Sequence, residues 1–366
     1  MPMTRVLLIG AGHAHALVLD AWRAHAIPGV EIILVTPITQ APYSGMIPGW
    51  LAGQYSFEDS VVDFNSLCQR AGVRLIQAEL VKLQAHTNTV SLSDGQSLSY
   101  DWLSLNVGST LVAPTSEHAT ILAMRPLSTL RARYDNWLTQ WQNSQDPKPL
   151  RLTAAGGGAA GVESLLCVKH RLQTLRPDKA IHAQLVTRSS HILPGFSASA
   201  RRLALAALHR AEVTMQLGTD WRETIGQSSD LVIWATGAQP HAWQQDPDLR
   251  GALKTDSTGF ISVDPYLRSV SHPNVFAVGD CAALPTPAPK AGVYAVRMGA
   301  TLITNLNHSL KGKPLVVFEP QRRALALLNT ADGRAIASWG RMGWQGRWVM
   351  RGKDWIDRRF ITKLSC

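Results

Sequence analysis

Short unbroken apolar runs alternate with longer amphipathic stretches along most of this chain. Val6-Leu7-Leu8-Ile9 ends in Gly10-Ala11-Gly12, and a stretch of helical composition from Ala14 to Ala26 stops at Pro28-Gly29. Glu31-Ile32-Ile33-Leu34-Val35 follows. Such runs read as strands buried on both faces, the pattern of a parallel sheet covered by helices. Strand, glycine turn, helix and strand within about 30 residues make a βαβ unit. A second unit begins near Leu150, where Arg151 to Ala155 leads into Gly156-Gly157-Gly158-Ala159-Ala160-Gly161. A helix is predicted from there to about Leu175, and Ile181 to Val186 returns as a strand.

Between the units, alternation from Thr89 to Trp102 predicts a hairpin, and the polar stretch Trp141 to Pro149 a connector. Leu231 to Ala235 predicts a strand ending at Thr236-Gly237, and Asn274 to Val278 another ending at Gly279-Asp280-Cys281. A long helix is predicted from about Gly292 to Leu310. The C-terminal segment differs in composition, with Trp339, Trp344, Trp348 and Trp355 among Arg341, Arg347, Arg351, Lys353, Arg358 and Arg359. The predicted fold is α/β, with two Rossmann-like dinucleotide-binding domains, the second inserted in the first, plus a small C-terminal α+β region. The expected boundaries are 1–112 and 251–312 for the first domain, 113–250 for the second and 313–366 for the C-terminal region.

Hydrophobic residues at 45% against 17% charged permit a large core and exclude wholesale disorder. The formal charge of +10 favours anionic partners without choosing among them; no nucleic-acid motif accompanies it, so no nucleic acid is expected. Cys68, Cys167, Cys281 and Cys366 lie far apart with no C-x-x-C pair, which argues against a redox dithiol or a cysteine zinc cluster. His13 and His15 point in different directions at a helix start, and no metal site is expected. The first apolar run is too short for a signal segment, and no stretch reaches the roughly 18 apolar residues of a membrane span. A cytoplasmic protein is expected.

The glycines point to a dinucleotide. Its pyrophosphate is held by backbone N–H groups and the positive end of a helix, so the first two positions of G-x-G-x-x-G must be small. Gly156, Gly158 and Gly161 fill all three positions of the second unit. Gly10 and Gly12 fill two in the first, where His15 takes the third. The acid expected to hydrogen-bond the ribose is missing from both. Thr36 is a weaker substitute in the first unit. In the second, Arg188 beside Ser189 and Ser190 suits a 2′-phosphate or is a solvated surface charge.

With two such units, Ala235-Thr236-Gly237 and Gly279-Asp280 in this order, the chain resembles the FAD-dependent pyridine nucleotide oxidoreductases over nearly its whole length. More narrowly, it resembles type II NADH dehydrogenase-like flavoproteins, in particular the subgroup found alone or fused to selenide, water dikinase. That match is carried by Gly10-Ala11-Gly12-His13-Ala14-His15, Pro42-Tyr43-Ser44-Gly45-Met46-Ile47-Pro48-Gly49, Asn106-Val107-Gly108-Ser109 and Lys290-Ala291-Gly292-Val293-Tyr294. The resemblance implies FAD on the first unit, NAD(P)H on the second, and hydride transfer to flavin.

By the same resemblance, Asp280 meets the ribityl chain, and the helix start at Ala291-Gly292 lies beside the flavin with Lys290 near it. The Tyr43-Ser44-Gly45-Met46 loop lies against the isoalloxazine or is a structural turn. Glu163 matches a glutamate close to nicotinamide and flavin, where it orients the carboxamide or relays a proton; its plainer role is to face the helix dipole. Val293 and Arg297 stand where type II dehydrogenases carry glutamines, so the acceptor is open: a quinone or a small selenium or sulfur species. Ile356, Phe360 and Leu364 form an apolar stripe that packs on its own domain, on an anionic membrane surface or on a second copy of the chain. A flavin-binding redox sensor without turnover is the rival expectation.

Overall fold

The computed structural model describes residues 3–23, 27–221, 229–321 and 323–365; Ala26, the expected end of the first helix, and Cys366 lie outside them. Two five-stranded parallel sheets organise the chain. The first has the order Val275–Ala277, Trp102–Leu105, Thr4–Ile9, Val30–Val35, Arg74–Ile76. The second has the order Thr120–Ala123, Leu231–Trp234, Leu150–Ala155, Ile181–Thr187, Val213–Leu217. The chain leaves the first sheet at Leu105 and rejoins it at Val275, so the strands of the second are enclosed in sequence by those of the first.

Each sheet reverses its strand order beside its central strand, and there a crevice opens at the carboxyl ends. Both glycine turns lie at these switch points, following Thr4–Ile9 and Leu150–Ala155. The central strands are buried on both faces: Val6, Leu7, Leu8, Leu152, Thr153 and Ala154 have no exposed surface. Helix His13–Arg23 covers the first sheet and packs on helix Gly292–Leu310, with Gly299 set against Ala14 and Leu17.

Two expectations change. The alternating stretch forms a three-stranded antiparallel sheet, Leu80–Gln84, Thr89–Leu92 and Ser97–Ser99, whereas Trp102 belongs to the parallel sheet, because its following residues are buried on both sides. The C-terminal region is three antiparallel strands, Ala326–Asn329, Ala335–Trp339 and Met342–Gly346, then helix Arg347–Ser365. That helix does not bury the expected stripe whole. Leu364 is buried and Phe360 half-buried, but Ile356 is 39% exposed. Val349, Lys353 and Asp357 turn inward instead, so an ion pair takes a place that an apolar pattern assigns to carbon.

Candidate active site

Both switch points open into one cleft of about 1680 Å³, larger than the roughly 300–1,000 Å³ of a pocket for one drug-sized ligand. In the first cradle Gly10, at φ +97°, receives a hydrogen bond to its carbonyl from the His15 ring and donates its N–H to Val35 O at 2.8 Å. A β-carbon at Gly10 would come within 2.5 Å of Asn106 O, and one at Gly12 would strike the Asn106 side chain. Asn106 was not anticipated as a site residue. Its Oδ1 accepts from the amides of Ala14 (3.1 Å) and His15 (3.3 Å), and its Nδ2 donates to Val278 O at 3.1 Å. It thereby satisfies two of the amides that a helix start leaves without a partner, while Gly10, Ala11, Gly12 and His13 line the cleft.

His15 is placed beneath the turn, outside the cleft lining, which corrects its expected contact with cofactor. Its ring is fully buried, with Nδ1 2.7 Å from Gly10 O and Nε2 2.8 Å from Ser104 Oγ. Burial pulls its pKa down to about 4, so the ring is neutral and bridges turn and sheet. His15→Leu is expected to cost about 1–3 kcal/mol by stranding Ser104 and the Gly10 carbonyl, read by urea denaturation. Met46 is likewise core, and Gly161 and Gly279 sit behind the lining. Gly161 nests against the Gly156 carbonyl and Gly279 against Asn106 Nδ2, so both shape the cradles without facing a ligand.

In the second cradle Gly156, at φ +121°, donates to Val186 O at 2.9 Å. Gly158 opens helix Ala159–Leu175, and a β-carbon there would meet nothing within 4 Å. The space above it belongs to the cleft, as does that at Thr236 and Gly237. Gly108, at φ +74°, lines the first unit in the same way. The Thr36 hydroxyl lines the cleft but donates to Ile38 O at 3.0 Å; Glu79, beyond the neighbouring strand Arg74–Ile76, brings a carboxylate to the same lining.

Asp280 is gathered with residues from three segments. Its Oδ2 lies 2.5 Å from Arg125 Nη1 and accepts from Ser109 Oγ at 3.2 Å, while Arg125 Nη2 donates to Lys290 O at 3.2 Å. Arg125 was not anticipated, because it lies 155 residues from its partner in the chain. Arg125→Met is expected to weaken FAD binding by about tenfold, with Arg125→Lys intermediate, as read by titrating the apoprotein with FAD. Lys290 lines the cleft, but its ammonium is directed to Ala282 O and stands 3.8 Å from the Phe260 ring centroid. Burial lowers its pKa. Ala291 and Gly292 line the cleft at a helix start with no side-chain cap.

The loop Tyr43-Ser44-Gly45 meets the C-terminal helix in the cleft lining. Tyr43 stacks on Phe360 (centroids 4.5 Å, 22°), and the Ser44 amide donates to His13 Nε2 at 3.4 Å. Burial lowers the His13 pKa to about 4 against the pull of Asp280. Lys353 Nζ donates to Gly45 O at 2.5 Å and to Asp357 Oδ2 at 2.7 Å. Glu163, from the second unit, accepts from Asn329 N–H at 2.6 Å. Burial raises its pKa to about 7, against Lys353 and the Asn329 amide and reinforced by Asp357. Burial works against the Lys353 ammonium, but Glu163 and Asp357 outweigh it and hold its pKa above the ordinary value. Glu163, Lys353 and Asp357 all line the cleft, where a carboxyl titrating near neutrality beside a fixed ammonium can exchange a proton.

Residues 4–299 match the family model described as pyridine nucleotide-disulphide oxidoreductase. The chain belongs to that family. It is an FAD-dependent oxidoreductase that uses a nicotinamide nucleotide, and the cradles fit such groups: glycine where a β-carbon would collide, open space where a diphosphate must approach. It is 22% identical to a type II NADH:quinone oxidoreductase of Staphylococcus saprophyticus, over 99% of this chain and 96% of that protein. It is 24% identical to the alternative NAD(P)H-ubiquinone oxidoreductase C1 of Arabidopsis thaliana over 76% of this chain, and spans 62% of that protein's length. In fold it is similar to NDH2 from Plasmodium falciparum in complex with NADH (TM-score 0.81, 13% identity, 99% of this chain and 97% of that one). It is also similar to the sulfide:quinone oxidoreductase of Aquifex aeolicus (TM-score 0.78, 16% identity, 99% and 91%). Cys68, Cys167 and Cys281 are buried and free, and none lines the cleft.

Proposed function

We propose that the enzyme passes electrons from NAD(P)H through FAD to an apolar small-molecule acceptor of the quinone class. The observation that carries this is the convergence of both cradles on one cleft whose lining includes Glu163, Lys353 and Asp357. FAD, when bound, supplies the redox centre that takes a hydride from the nicotinamide. The amides at Gly10 to His13 would hold its diphosphate, Asp280 its ribityl hydroxyls, and the start of helix Gly292–Leu310 the negative charge of the reduced ring. Gly156 to Gly158 would hold the nicotinamide nucleotide. Glu163 orients the carboxamide and exchanges a proton, and Lys353, fixed by Asp357 and Gly45, holds a positive charge beside it.

The cleft lining includes the apolar side chains of Ile47, Pro48, Val293, Val296, Ile356 and Phe360, which supports an apolar acceptor, and the relatives are named for quinone acceptors. Val293 and Arg297, which stand in place of glutamines, both line the cleft. Trp348 (63% exposed) and Trp355 (60%) stand out from a helix carrying Arg347, Arg351 and Arg359, which supports peripheral docking on an anionic membrane. No helix among the described residues is long and apolar enough to cross one. In the deciding test, flavin reduced anaerobically by NAD(P)H is mixed with menadione. Reoxidation faster than by buffer alone supports the reading, and no acceleration by this or a ubiquinone analogue refutes it.

A further inference from the structure

We propose that the chain selects NADPH over NADH and that Arg188 makes the selection; this rests on the reading that a nicotinamide nucleotide docks on the second glycine turn. In a unit of this type the strand after the glycine helix ends beside the adenosine ribose, where a carboxylate hydrogen-bonds the free hydroxyls and an arginine accommodates a 2′-phosphate. A carboxylate there also repels that phosphate by like charge. The strand is Ile181–Thr187, and it runs on into Arg188-Ser189-Ser190 with no acid.

Thr187 does not replace the acid. It is buried, its hydroxyl accepts from Ser189 N–H at 3.3 Å, and a β-carbon at Gly157 would come within 2.9 Å of its side chain. Its packing therefore closes the floor of the cradle. Arg188 is the next residue, exposed and in the cleft lining, and its guanidinium has no hydrogen-bond or ion-pair partner among the described residues. Arg5, Arg125, Arg151, Arg176 and Arg268, by contrast, are each committed to a carboxylate. Ser189 lines the cleft beside Arg188 and adds a hydroxyl. The acid on this side of the lining, Asp220, follows Thr219, whose N–H donates to Thr187 O at 3.0 Å; it comes from the loop after the neighbouring strand Val213–Leu217, and Arg188 is the charge carried by the ribose-facing strand itself. An uncommitted planar guanidinium with hydroxyl neighbours matches a phosphate monoester, which it pairs through two parallel hydrogen bonds. NADH offers it only hydroxyls.

The test uses the full chain loaded with FAD. Anaerobic stopped-flow reduction is compared for NADPH and NADH, and 2′,5′-ADP and 5′-AMP are titrated calorimetrically as probes that do not react. NADPH should be favoured about tenfold or more in rate over dissociation constant, and 2′,5′-ADP should bind more tightly than 5′-AMP by a similar factor. Both ratios should fall towards one in Arg188→Met, survive in part in Arg188→Lys and invert in Arg188→Asp. Equal or better use of NADH by the wild type, or ratios that Arg188→Met leaves as they were, would overturn the proposal. If neither nucleotide bleaches the flavin but 2′,5′-ADP still binds in an Arg188-dependent way, the hydride-transfer reading fails and the phosphate site stands.

Discussion

Glu163→Gln is expected to slow flavin reduction by NAD(P)H by about 10²-fold and to remove a pH step near 7 that the wild-type rate shows. The carboxyl belongs to the cleft lining, and burial lifts it to about 7, so its charge changes near neutral pH. The same shift appears in stability. A carboxyl raised from 4.5 to about 7 keeps a proton in the native state that the unfolded chain has released. Its contribution is fully present below pH 4.5, falls as pH rises through 7, and stays lost above it. Glutamine carries no such penalty. Thermal unfolding should therefore favour the variant increasingly from pH 4.5 to 7, by about 3 kcal/mol at the plateau. A flat wild-type profile with an unimpaired variant would leave Glu163 as an ordinary buried residue of helix Ala159–Leu175.

Lys353→Met should be the most destabilising single change at the site. Lys353 and Asp357 are paired at 2.7 Å with side chains only 7% and 6% exposed, and removing one partner leaves the other charge buried. A loss of about 3–5 kcal/mol follows, and the tie from the helix to the Gly45 carbonyl goes with it. Adding Asp357→Leu should restore much of the stability, since replacing both partners by carbon avoids the stranded charge. Flavin reduction should stay slow in the double variant, because the ammonium beside Glu163 is still missing. A double-mutant cycle by chemical denaturation reads the coupling; simple additivity would mean that the two charges are solvated independently.

The parts of the site that local chemistry writes were legible. Gly10, Gly12, Gly156 and Gly158 announce themselves because a diphosphate needs backbone amides at a strand–helix turn, and Asp280 follows a strand of the same kind. Asn106, Arg125, Lys353 and Asp357 were not legible as a set, because each acts on a partner brought in by sheet topology or by the return of the C-terminal helix. The stripe Ile356, Phe360 and Leu364 misled for a related reason. Hydrophobic periodicity finds the face that meets carbon, and this helix reaches the cleft through Lys353 and Asp357 as well as through Ile356 and Phe360. His15 shows the reverse case. It reads as an obstruction in a glycine position, yet with Ser104 below it the ring fits under the turn and bonds at both ends.

The most direct test is an anaerobic titration of the purified FAD-loaded protein with its nicotinamide nucleotide, followed through the flavin absorption band. Two cradles opening on one cleft predict complete bleaching at one equivalent of reductant per flavin. A band that persists through excess NADPH and NADH, with FAD still bound, would contradict the account.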